Sequence, residues 1–111
     1  MRFKAFSLPL MAAAMAAAMA AVWAGSGAAA LNSIEVKDFM FMPTTLTVNA
    51  GAEVSWVNKD GEPHTVVSDT GLFRSGALDT DESFSFKFEM PGTYHFTCSI
   101  HPRMVGTIIV K

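Results

Sequence analysis

The stretch "GTYHFTCSIHPRMVGTIIVK" occupies residues 92–111, and its first half decides the fold. From Tyr94 to Cys98 apolar and polar side chains alternate, which is the period of a strand with one face turned inward. Tyr94, Phe96 and Cys98 share the inner face, and His95 lies on the outer one. Pro102 and Gly106 allow no more than a single helical turn through "SIHPRM". The chain therefore leaves the sheet at Cys98, turns tightly past His101 and Met104, and re-enters a strand over "GTIIVK" (106–111).

The same punctuation runs back along the chain. Ile34 and Val36 alternate with polar residues in an extended run that reaches Phe39, and "TLTVN" (45–49) alternates again before Ala50-Gly51. "EVSWVN" (53–58) is closed by Lys59-Asp60-Gly61, and "HTVVS" (64–68) follows Pro63 as a short inner strand. Residues 69–80, with Gly71 and Gly76, read as a long connection. "SFSFKF" (83–88) is strict alternation, with Phe84, Phe86 and Phe88 on one face, and "MPG" (90–92) turns the chain. Seven or so short strands with turn signals every 8–12 residues predict an all-β antiparallel sandwich or barrel. The three phenylalanines, Trp56, Ile108 and Val110 supply one apolar layer between two sheets.

The 111 residues open on Arg2 and Lys4, followed by an apolar, alanine-rich run from Leu8 to about Ala24 and by Ala28-Ala29-Ala30. This is the order of a secretory signal, so residues 1–30 are expected to be cleaved and residues 31–111 to form a single domain, exported to the periplasm. Arg2 and Lys4 leave with it, so eight basic residues become six, against ten acidic ones. That balance argues against a nucleic-acid partner. No membrane span is expected after cleavage. A core of about 80 residues is small and often needs a staple. Cys98 is the only cysteine, which excludes an internal disulfide and leaves a metal.

A free cysteine facing a core is ordinarily an inert, small apolar side chain. Against that stand His101 and Met104, three and six residues on, which a tight turn can aim at the same point. His95 faces outward, so the fourth donor is sought in His64, which follows the Lys59–Glu62 loop. The candidate metal ligands are thus His64, Cys98, His101 and Met104. Zinc has little use for a methionine, and calcium and magnesium require oxygen. Two imidazoles and a thiolate with a weak thioether describe a type 1 copper site that carries electrons between Cu(I) and Cu(II), one ion per chain. Four protein donors leave no position for a substrate, which argues for a carrier and against an enzyme. A periplasmic protein for copper delivery or storage would use the same donors. Delivery sites, however, sit on exposed, flexible segments, whereas Cys98 ends a packed strand.

On these residues the chain resembles the cupredoxins, the type 1 blue copper proteins. "DFMFMPTTLTVNAGAEVSWVN" is similar to the family's opening strands, "GEPHTV" to its first-histidine segment and "GTYHFTCSIHPRMVGTIIV" to its closing segment. Within the plastocyanin, amicyanin and pseudoazurin group, the short gap from His101 to Met104 resembles the amicyanin branch. The resemblance implies an eight-stranded Greek-key β-sandwich with copper at one end, held by His64, Cys98, His101 and Met104. It also implies a monomer whose His101 edge surfaces in an apolar patch, where redox proteins such as a dehydrogenase and a c-type cytochrome dock transiently. Two positions depart from the family pattern. Thr65 stands where asparagine usually ties the two ligand loops, so a weaker tie is expected, with the Thr65 N–H still donating to the Cys98 sulfur. Ile100 stands where many relatives have proline and adds an N–H that is expected to raise the potential. Met40 and Met42 are assigned to strand packing in preference to a docking patch, and Asp79, Asp81 and Glu82 to a solvated loop.

Overall fold

The computed structural model describes residues 32–111; the expected signal segment, residues 1–30, lies outside them. Eight strands follow in order: β1 Ser33–Lys37, β2 Met40–Met42, β3 Thr45–Val48, β4 Ala52–Asn58, β5 Val67–Ser68, β6 Ser83–Phe88, β7 Gly92–Thr97 and β8 Val105–Val110. They form two four-stranded sheets, in the orders β2-β1-β4-β6 and β3-β8-β7-β5. The architecture is the all-β sandwich that the alternation requires. It is not wholly antiparallel: β1 runs parallel to β4 and β3 runs parallel to β8.

The inner layer is aromatic. Trp56 on β4 is fully buried and meets Phe96 of the opposite sheet edge-on at 5.4 Å. Phe73, Phe84 and Phe88 surround its other sides at 5.5, 5.8 and 6.4 Å. Offset and edge-to-face contacts of this kind add stability beyond the area they bury. Opposite Phe96 in the β7–β8 register stands Gly106, where an added Cβ would lie only 2.3 Å from the Phe96 ζ carbon. The Phe96 ring thus occupies the space that a side chain on β8 would take.

Two segments differ from expectation. The extended run through Phe39 is a hairpin: β1 and β2 pair with Lys37 opposite Met40, and Asp38 and Phe39 form the turn at φ 53° and 58°. Neither glycine nor asparagine announces it. "HTVVS" narrows to the two-residue β5, and His64 itself sits in an isolated bridge to Leu78. The long connection expected over 69–80 is present between β5 and β6; it buries Phe73 and Leu78 and bridges back through Arg74 to Val67. Met40 and Met42 alternate outward around the buried Phe41 on edge strand β2 and are about half exposed. Strand packing therefore does not account for them.

Candidate metal centre

Cys98 lies one residue beyond β7, with no exposed surface. The loop that follows is closed by its own main chain. The Cys98 N–H donates to the Met104 carbonyl at 3.1 Å and the Met104 N–H to the His101 carbonyl at 2.9 Å. This tight turn brings the His101 Nδ1 to 3.8 Å from the Cys98 sulfur. Met104 is buried and lines the same hollow as His101.

His64 arrives from the other sheet's loops and is also fully buried. Its loop is organised by Asn58 at the end of β4. The buried Asn58 amide donates to the carbonyls of Glu62 and Leu78, both at 2.8 Å, and its oxygen accepts the Asp60 N–H at 2.9 Å. Main-chain bonds in both directions between His64 and Leu78 (3.1 and 2.8 Å) then fix the histidine backbone. Its Nδ1 lies 3.9 Å from the Cys98 sulfur. The ligand atoms of His64, Cys98 and His101 all fall within 4.8 Å of one another. His95 faces away, at the surface, with Nδ1 3.1 Å from the Thr107 hydroxyl, as the alternation required.

The surroundings favour charge on sulfur. Burial works against the Cys98 thiolate. It is outweighed by the Thr65 N–H, with the His101 imidazole and the Ile100 N–H adding to it, and the thiol is lowered from 9.0 to about 6. The Thr65 N–H lies 3.3 Å from the sulfur. The tie between the ligand loops, expected to be weak, is made by hydroxyls. The Thr65 Oγ1 accepts the Ser99 N–H at 2.8 Å, shares a 2.8 Å hydrogen bond with the Ser99 hydroxyl, and stands 3.7 Å from the Cys98 sulfur.

Sequence reasoning missed two further residues. Asp60 places Oδ2 2.8 Å from the His64 Nε2, and Phe39 lies edge-on against both imidazoles, at 5.1 Å from His64 and 4.8 Å from His101. Burial again opposes the Asp60 carboxylate, but the N–H groups of Phe39 and Asp38 and the His64 imidazole prevail and hold it below the usual carboxylate range. The spacing of Asp60, four residues before His64 in "NKDGEPH", was the one available signal.

Two borderline imidazole donors and a soft thiolate converging in a buried pocket, with a buried thioether beside them, fit copper and no hard cation. Fold and donor set together define a cupredoxin. The chain belongs to this family: the cupredoxin-like domain matches residues 9–110. Among its relatives, amicyanin-alpha of Methylorubrum extorquens is 33% identical over 93 residues, covering 75% of this chain and 74% of the relative. The plastocyanin of Scenedesmus fuscus is 39% identical over 85 residues, covering 65% and 87% respectively. In three dimensions a purple cupredoxin from Nitrosopumilus maritimus superposes with a TM-score of 0.66 at 31% identity, over 71% of this chain and 98% of that one.

Proposed function

We propose that this chain is a type 1 copper electron carrier of the periplasm, exported by a cleaved signal over residues 1–30, with its ion held by His64, Cys98, His101 and Met104. The observation that carries the reading is the convergence of the His64, Cys98 and His101 donor atoms to within 4.8 Å inside a pocket that also buries Met104. Bound copper would supply a one-electron Cu(I)/Cu(II) couple. The chain's own residues do the rest. Cys98 is poised to ionise, both imidazoles turn Nδ1 toward its sulfur, and the sandwich excludes water from all but the His101 side.

His101 is partly exposed, and Phe39, Ile100, Pro102 and Arg103 line the hollow beside it. Exposed Phe39, Met40, Ile100 and Val105 extend the apolar surface there. We assign this face to transient docking of redox proteins, a dehydrogenase as donor and a c-type cytochrome as acceptor, by a monomeric carrier that is not itself an enzyme. Optical and EPR spectra of the copper-loaded protein test the reading. The expected result is the intense visible absorption of a thiolate-bound type 1 copper, one that cycles with ascorbate and survives a chelator. Rapid loss of copper to the chelator would favour delivery instead, and a colourless Cu(II) adduct would overturn both the ligand set and the carrier role.

A further inference from the structure

The β1–β2 connection is a two-residue turn with both central residues left-handed, Asp38 at φ 53° and Phe39 at φ 58°. Such turns match the twist of a hairpin but favour Asn-Gly or Asp-Gly, because a Cβ at the second position is strained. A phenylalanine there carries a steric penalty that glycine would avoid. Strain of this sort persists only where surrounding structure holds it. Here the hold is a single carboxylate: Asp60 accepts the Asp38 N–H at 2.7 Å and the Phe39 N–H at 2.9 Å.

The same Asp60 Oδ2 that accepts from Phe39 lies 2.8 Å from the His64 Nε2. An ionised carboxylate only accepts, so the imidazole proton sits on Nε2 and the Nδ1 lone pair is left toward Cys98. The strained turn in turn sets the Phe39 ring at 89° to His64 and 80° to His101. The ring packs against both imidazoles at once, and the residue is otherwise 45% exposed. Asp60 therefore joins, through one group, the orientation of a ligand and the position of its cover.

We propose that Asp60 is the positioning residue of this centre, fixing the His64 tautomer and holding Phe39 as a roof that slows exchange of the metal with solvent. The inference rests on the copper-site reading above, but its two halves are read separately. In the metal-free protein, ¹⁵N NMR of the imidazoles is expected to show His64 wholly in the Nε2–H form, and Asp60→Ala is expected to mix the tautomers. In the copper-loaded protein, Phe39→Gly relieves the backbone while removing only the roof. It is expected to keep the fold and to pass copper to a chelator at least tenfold faster than wild type, as is Asp60→Ala. Asp60→Asn keeps an acceptor for Nε2–H but turns an amide toward the turn. It should retain the tautomer and release copper faster, and it serves if Asp60→Ala does not fold. A single Nε2–H tautomer in Asp60→Ala, or wild-type release from Phe39→Gly, would overturn the proposal. Failure of the wild-type protein to take up copper would instead overturn the metal-site reading on which it stands.

Discussion

Replacing Thr65 by valine keeps the shape of the side chain and deletes its hydroxyl, which tests the hydroxyl tie between the two ligand loops. The hydroxyl makes two short hydrogen bonds, from the Ser99 N–H and with the Ser99 hydroxyl, both at 2.8 Å, and the 3.7 Å contact to sulfur is too long to add much. At about 1 kcal/mol net for each short bond, the loss is about 2 kcal/mol. In a domain of this size that corresponds to a fall of roughly 8–16 °C in thermal midpoint. Circular dichroism of the metal-free protein reads this without interference from the metal. Thr65→Ser retains the hydroxyl and should melt close to wild type. A Thr65→Val protein with an unchanged midpoint, or a Thr65→Ser protein as unstable as the valine variant, would refute the tie.

Gly106→Ala should destabilise by about 1–3 kcal/mol through overpacking, because the new methyl would lie 2.3 and 2.6 Å from two carbons of a buried Phe96. Denaturant unfolding measures the loss, and Phe96→Leu in the same chain should recover part of it; an unchanged midpoint refutes the packing argument. Ile100→Pro removes an N–H that favours the Cys98 thiolate, so the midpoint potential of the copper-loaded protein should fall, and an equal or higher value would sink the idea. Copper itself should stabilise the fold by about 2.7 kcal/mol at a free concentration 100 times its Kd, read as a rise in thermal midpoint that a chelator strong enough to strip the ion reverses; no rise would mean that folded and unfolded chains bind it equally.

The sequence made the sandwich and most of the centre legible because the relevant physics is local. Strand period alone turned Tyr94, Phe96 and Cys98 inward and His95 outward, and Pro102 with Gly106 confined His101 and Met104 to a tight loop. His64 could be found because only three histidines exist and one had been excluded. What escaped was set by contacts distant in sequence. The Asp38–Phe39 turn has a phenylalanine where a glycine is usual, and its stability comes from a carboxylate more than twenty residues away. Thr65 looked like a loss because the residue that completes its tie, Ser99, lies 34 positions on. Parallel pairing of β1 with β4 and of β3 with β8 likewise leaves no mark in any single segment.

Those non-local contacts bear on how the centre would work. Each donor is positioned by bonds in which no metal takes part. Cys98 and Met104 are joined through their main chains, the Met104 N–H meets the His101 carbonyl, and His64 is bound to Leu78 by its backbone and to Asp60 by its ring. Carboxylate partners of this kind orient a ligating histidine and tune its basicity. A carrier gains from such a frame, since donors that are already fixed move little when the charge at the centre changes by one electron. Delivery would gain from the opposite, a loop free to open. The one face the frame leaves partly open is that of His101, and there the cover is Phe39, a residue strained into place by the same aspartate that holds His64. If Phe39 governs retention of the ion as proposed, substitutions in this small turn should alter release of the metal more than the fold.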